Sequence, residues 1–207
     1  MKGKFITLEG CEGVGKSRQL KMLEDFLVRN EVKYYFTREP GGTDISEQIR
    51  KIILDEKNVK MTDECEAMLY ASARIQLVKE EILPRVEKGE LVVCDRYIDS
   101  SFAYQGEARG LGETFVKNIN SFVMENCMPD LTLFLNLSPE QAFKRKGGVD
   151  KNDRLELSGL EFHQKVYNGY LNLAKKYPER IVVVDASGEK EQTHAKIIQA
   201  LRDRGII

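Results

Sequence analysis

Gly10-Cys11-Glu12-Gly13-Val14-Gly15-Lys16-Ser17 fits the pattern GxxxxGK[ST]. The octet follows a short β-rich run and opens a helical stripe. In that context a glycine-rich loop surrounds phosphate oxygens with backbone N–H groups, and the helix N-terminus adds positive potential. Lys16 is spaced to reach the β- and γ-phosphates of a bound ATP, and the Ser17 hydroxyl to ligate Mg2+. Glu12 is out of place, because a carboxylate ~5 Å from a phosphate costs roughly 3 kcal/mol at an effective dielectric of 20. Two readings stay open for it: a carboxylate turned toward a neutral hydroxyl of a second substrate, or a solvated loop residue.

A second group of charges follows the next β runs. Arg38-Glu39-Pro40-Gly41-Gly42-Thr43 comes after the second, with Arg50 in the helical segment beyond; Asp95-Arg96 closes the third. Asp95 has the place of a strand-end carboxylate that holds Mg2+ through water. Arg38, Arg50 and Arg96 together suggest a grip on a second phosphate group, since a guanidinium fork matches phosphate oxygens, although a lone arginine is more often a surface ion pair. Tyr70 and Arg74, four apart on a helical pattern, share a face. They suit stacking on a base and reading its edge, or a core tyrosine with a snorkelling arginine, and the residues alone favour the second. The segment 144–154 carries five basic and two acidic residues around Gly147-Gly148. It reads as a hinged lid bringing cations to a phosphoryl group, or as a solvated charged loop. Ala186-Ser187-Gly188 follows the last β run and is a candidate lining for adenine. Cys11, inside the phosphate loop, is expected to make activity sensitive to oxidation.

These groups need a scaffold, and the hydrophobic pattern provides one. Apolar runs at Phe5–Leu8, Lys33–Thr37, Leu91–Cys94, Leu131–Leu137 and Ile181–Val184 read as strands covered on both faces. Helical stripes lie between them: Leu20, Leu23 and Leu27; Met68, Ile75, Val78, Ile82 and Val86, bent or ended by Pro84; Val166, Tyr170, Leu173 and Tyr177; and Ile197, Ile198 and Leu201. Alternating strands and helices predict an α/β fold, a parallel sheet between helices, with ligands beyond the C-terminal strand ends. The chemistry-bearing residues fall at those ends.

Composition narrows the partners. The 207 residues suit one domain, or one domain with a small lid. A net charge of −1 gives no overall basic field, so no nucleic-acid partner is expected. Four scattered cysteines, with no metal-ligand spacing, suit free thiols in a reducing compartment. No apolar run approaches the ~20 residues of a membrane span, and no signal peptide is visible, so a cytoplasmic protein is expected. A guanine-nucleotide switch would need NKxD, which is absent, and the DxxG at 185–188 comes too late in the chain.

The residues ITLEGCEGVGKS at 6–17, TREPGGT at 37–43, LYASAR at 69–74 and CDRYIDSSFAYQG at 94–106 resemble the thymidylate kinases over nearly the whole chain. PDLTLFLNL at 129–137, DRLE at 153–156 and FHQKVYNGY at 162–170 add to the likeness. The resemblance implies a nucleoside-monophosphate-kinase fold, a five-stranded parallel sheet with helices on both faces and a mobile lid at about 144–156. It implies transfer of a phosphoryl group from ATP to dTMP with Mg2+, by a homodimer. Arg38, Arg50 and Arg96 would bind the dTMP phosphate, with Glu39 beside them. Arg74, Ser101 and Gln105 would meet the thymine edge, Tyr70 would stack on the base where Phe is commoner, Tyr104 would pack against the sugar, and Glu12 would meet the 3′-hydroxyl. The sequence is similar to the bacterial type, which places basic residues in the lid: here Arg145, Lys146, Lys151 and Arg154, the first two and the last assigned to catalysis beside Lys16 and Arg96.

Overall fold

The computed structural model describes residues 2–146 and 158–207, with Lys146 described in its backbone only. Five strands, β1 (Lys4–Glu9), β2 (Tyr34–Arg38), β3 (Leu91–Asp95), β4 (Leu131–Asn136) and β5 (Ile181–Asp185), form one sheet in the order β2-β3-β1-β4-β5. Every pairing is parallel. The chain moves outward from β1 to β2, returns to β3, then crosses to β4 on the other side of β1. Such a reversal of strand order opens a crevice beyond the strands' carboxyl ends. Register brings the ends to one level, with Leu8 and Arg38 both opposite Asp95.

The three inner strands are almost wholly buried, as their continuous apolar runs require. The outer strands β2 and β5 are partly exposed because each has one neighbour only. All five apolar runs were legible, but the ends shift: β1, β3 and β5 each run on into a carboxylate, and β2 into Arg38. Backbone pairing continues past the last apolar residue, so the ladder itself presents Glu9, Arg38 and Asp95 at the crevice.

Helices α1 (Lys16–Arg29), α2 (Asp44–Leu54) and α3 (Asp63–Leu77) come first. Thr43 caps α2 by accepting from the Ser46 N–H, and Thr62 caps α3 by accepting from the Cys65 N–H. The buried face of α3 differs from the predicted stripe. Met68 and Ile75 are 55% and 36% exposed, while Ala67, Ala71, Arg74 and Leu77 are buried. Small alanines let the helix pack closely, and a paired arginine takes a core position that hydrophobicity alone assigns to an apolar residue.

Ahead of Pro84 the chain widens into a π-helical turn at Val78–Ile82, where the Leu83 N–H reaches back five residues to the Val78 carbonyl. The wider turn accommodates a ring that would clash with the carbonyl four residues back, and α4 (Leu83–Glu87) resumes behind it. Next come α5 (Ile98–Ser101), a second π turn at Phe102–Ala108, α6 (Gly112–Ile119), α7 (Ser121–Asn126), α8 (Pro139–Lys146), α9 (Gly159–Lys176) and α10 (Lys190–Asp203). Gly169 lets α9 lie tight against the second π turn, since a Cβ there would come within 3.0 Å of the Ala103 Cα. No helix among the described residues is long and apolar enough to cross a membrane.

Candidate active site

The phosphate loop joins β1 to α1. Gly10 sits at φ 148°, where an added Cβ would press to 3.0 Å from both the Leu135 carbonyl and a Val14 methyl. Gly15 at φ 98° ends the loop, and α1 starts at Lys16 with no acidic residue in its first turn. Its first N–H groups therefore offer positive potential without internal competition. Lys16 is buried and curls over the loop, its ammonium donating to the Gly10 and Cys11 carbonyls, 3.3 Å each. Burial and the nearby Arg96 push its pKa below the ordinary lysine value, against Glu12, Asp95 and Glu9. The Cys11 side chain turns into the core at 1% exposure, and burial pushes its thiol up to about 12. A thiol so held is a poor nucleophile, which runs against oxidation sensitivity at this residue.

Arg96 begins the facing wall. It takes φ 67°, a left-handed conformation that costs a side-chain-bearing residue roughly 1 kcal/mol and recurs at functional sites. That turn aims its guanidinium back at the phosphate loop, where Nη1 donates to the Gly10 carbonyl at 2.8 Å, the same oxygen that Lys16 reaches. Nη2 donates to a Glu12 carboxylate oxygen, and Nη1 lies 3.2 Å from the Tyr170 hydroxyl. The misplaced charge of Glu12 is thus resolved: it lines the cleft, oriented by an ion pair that offsets its repulsion for phosphate. Burial opposes the charge on Arg96, but Tyr104, Glu12, Tyr170 and Asp95 more than offset this and hold its pKa well above the usual arginine value.

The other arginines differ in burial and tether. Arg38 is half exposed and donates to both oxygens of Glu47 at 2.8 and 3.0 Å. Arg50 is partly buried and donates to the Pro40 carbonyl at 2.8 Å. Arg74 is buried, with all three nitrogens placed: Nε on Glu39 at 2.7 Å, Nη1 on Asn120 at 2.7 Å and Nη2 on the Tyr97 carbonyl at 3.3 Å. It does not snorkel. Glu39 is pushed up to about 7 by burial, against the Arg74 charge, and its Oε1 is buried without a partner among the described residues.

One cleft is lined by Glu12, Lys16, Ser17, Arg38, Glu39, Arg50, Tyr70, Arg74, Asp95, Arg96, Ser101, Tyr104 and Gln105. These thirteen carry the sequence-based expectations; Leu54, Ser100 and His163 line the same cleft and were given no role from sequence. Gly13, Val14 and Gly15 shape the loop without lining the cleft. Arg145 lies elsewhere: its guanidinium donates to the Ala186 and Ser187 carbonyls at 2.7 and 2.5 Å, the loop suggested for adenine. Lys151, Arg154, the Gly147-Gly148 hinge, DRLE and the side chain of Lys146 lie outside the described residues.

The family model described as "Thymidylate kinase" matches residues 8–197. The chain belongs to the thymidylate kinase family. Among relatives bearing that name, one from Clostridium novyi (strain NT) is 50% identical over 188 residues, covering 90% of this chain and 92% of the relative. Another, from Caldanaerobacter subterraneus subsp. tengcongensis, is 45% identical over 203 residues, covering 98% and 97%. A third, from Bacillus pumilus (strain SAFR-032), is 45% identical over 206 residues, covering 98% and 97%.

In this thymidylate kinase family chain, the groups that hold the wall in place were not singled out from sequence. Glu9, at the end of β1, is buried and accepts from the Tyr97 N–H, the Ser100 hydroxyl and the Tyr170 hydroxyl, at 2.7, 2.7 and 2.8 Å. Burial, then Asp99, raise its pKa to about 7, against Arg96, Ser100 and Tyr170. Beneath it Asp99 takes a two-point ion pair from Arg180, 2.6 and 2.8 Å, and a bond from Thr132. Short α5 is thereby pinned at consecutive residues, and Arg96 just before it is held between two anchors. The end of β1, Thr7-Leu8-Glu9-Gly10, gave one available signal, an acidic residue directly abutting a glycine-rich loop. His163 also lines the cleft, packed edge-on against Phe143 and Phe162.

Proposed function

We propose that the protein transfers the γ-phosphoryl group of ATP to dTMP, giving ADP and dTDP. The observation that carries this reading is the convergence of Lys16, from the phosphate loop, and Arg96, from the opposite wall, on one carbonyl oxygen, that of Gly10. Phosphoryl transfer asks mainly for two anions brought in line and for charge to be neutralised. Lys16 and the α1 N-terminus grip the donor phosphates. Arg96, with Arg50 and Arg38 nearer the rim, grips the acceptor phosphate. Tyr70 stacks on the base, Arg74, Ser101 and Gln105 meet its edge, Tyr104 packs on the sugar, and Glu12, steadied by Arg96, receives the 3′-hydroxyl. No covalent enzyme intermediate is needed.

The residues present suit a hard divalent cation. Asp95 Oδ1 is buried without a partner among the described residues, and the exposed Ser17 hydroxyl lines the same cleft. Both are oxygen donors of the kind Mg2+ takes, with phosphates and water completing its shell. When bound, the ion neutralises charge on the β- and γ-phosphates. Asp95 and Ser17 are the residues that would hold it.

The reading includes one kinase domain, a lid at about 144–156, a cytoplasmic setting supported by four free cysteines, and a homodimer. Ile45 and Ile52, seven apart on α2, and Met68 and Ile75, seven apart on α3, support the dimer as exposed apolar residues on two packed helices. Sedimentation of a single 23.7 kDa species would remove the dimer. The lid reading assigns transition-state cations to Lys146 and Arg154, with Arg145 tying the lid's approach to the 186–187 loop. The decisive test of the whole is a coupled ADP-release assay against dTMP, dUMP, UMP, CMP and AMP. Preference for dTMP is expected; preference for AMP or CMP would overturn the substrate assignment.

A further inference from the structure

We propose that an ion pair behind the cleft, buried Glu66 with partly buried Arg109, fixes which end of the Gln105 carboxamide faces the nucleobase, and so selects bases with an N3–H over cytosine. The inference deepens the dTMP reading and rests on it.

Gln105 lies on the second π turn, 2% exposed, and lines the cleft with Ser101 and Tyr104. Its Nε2 donates to Glu66 Oε1 at 2.9 Å. Glu66, on α3, is itself fully buried and is held from the other side by Arg109, whose Nη2 reaches Glu66 Oε2 at 3.1 Å and whose Nε lies 3.4 Å from Oε1. Arg109 is fixed in turn by Asp63 at 3.3 Å and by stacking 4.7 Å from the Phe162 ring centroid. Neither Glu66 nor Arg109 lines the cleft, so both act through Gln105 as positioning residues.

The chemistry of the pair decides the orientation. A carboxylate accepts hydrogen bonds and cannot donate them, so Gln105 must turn its NH2 group toward Glu66. The carboxamide oxygen is then the end left for the base. Thymine and uracil carry an N3–H donor, which a carbonyl oxygen accepts. Cytosine presents a bare N3 acceptor there, so two lone pairs would face each other. An unheld carboxamide could rotate by half a turn and offer its NH2 to cytosine. The Glu66 carboxylate removes that option, and Arg109 keeps the carboxylate in place. A site that leaves a buried polar group unpaired against the wrong substrate discriminates strongly.

The test is kcat/KM for dTMP, dUMP and dCMP with the wild-type enzyme and with Glu66→Gln. A glutamine at 66 can accept or donate, so Gln105 is no longer forced to one orientation. The dTMP/dCMP ratio is expected to fall about tenfold or more, through a rise in dCMP turnover as well as a loss for dTMP. The dTMP/dUMP ratio should stay put, since the two bases share the N3–H edge. A general packing defect would lower all three substrates together. Such a uniform loss, or an unchanged dTMP/dCMP ratio, would overturn the proposal while leaving the kinase reading intact. A wild-type enzyme inactive on dTMP would sink both. Should Glu66→Gln fail to fold, the double replacement Glu66→Leu/Arg109→Leu exchanges the pair for apolar groups and makes the same prediction.

Discussion

The phosphate loop takes its binding groups from eight consecutive residues, Gly10–Ser17, whereas the wall opposite draws on β2, α2, α3, β3, α5, the second π turn and α9. On the proposed reading the loop binds phosphate largely through backbone N–H groups and a helix end, so its geometry is local and survives in isolation as a motif. The wall presents side chains, and each is held by another group: Arg96 by the Tyr170 hydroxyl and the Gly10 carbonyl, Arg74 by Glu39 and Asn120, Gln105 by Glu66. Within the wall there is a gradient as well. Arg96 is 15% exposed and tethered through both Nη atoms, while Arg38 is half exposed and held by a single carboxylate. On the proposed reading, the donor side is specified by a short run of consecutive residues and the acceptor side by a network that must be assembled before it can discriminate.

That contrast breaks most sharply at Arg96. Arg96→Ala should lower kcat by about 1,000-fold at saturating dTMP while ATP affinity, read by titration calorimetry, changes less than about threefold. Unchanged turnover would remove its role as the acceptor clamp. Asp95→Asn should lower activity by roughly 10- to 100-fold, with part of the loss recovered at raised Mg2+; a loss indifferent to Mg2+ would detach Asp95 from the metal. Tyr170→Phe removes one hydroxyl from the network behind Arg96 and should raise KM for dTMP by about fivefold, with KM for ATP unchanged. Equal changes in both would mean that the two sides are not separately built.

Two smaller effects follow from buried titratable groups. Glu9 titrates near 7 in the folded chain, above the ordinary carboxylate, so its contribution to stability is full below about pH 4.5 and is lost as pH rises through 7. Glu9→Gln should flatten that decline, leaving the melting temperature about 2–4 °C less dependent on pH between 5 and 8. A steeper decline in the variant would reverse the sign argued here. The last effect concerns thiols. Limited alkylation at pH 8 should label exposed Cys65 ahead of Cys11 and leave activity within about twofold, because only the thiolate reacts and Cys11 is held near 12. Early labelling of Cys11 with loss of turnover would restore the oxidation sensitivity that its position in the loop suggested.

The sequence by itself determined the α/β architecture, the five strands, the phosphate loop and most of the residues that line the cleft, because strand periodicity, glycine spacing and strand-end charges are properties of short segments. It left undecided whether Glu12 faced solvent, it favoured a snorkelling Arg74 where the structure buries it, and it gave no site role to Glu9, Glu66, Asp99, Arg109 and Tyr170. Those answers belong to the tertiary structure, since the partners lie far away along the chain: Glu12 is 84 residues from Arg96, and Glu9 is 161 from Tyr170. A charge's direction and protonation depend on how deeply it is buried and on what it meets there, and neither exists until the strands have been laid side by side.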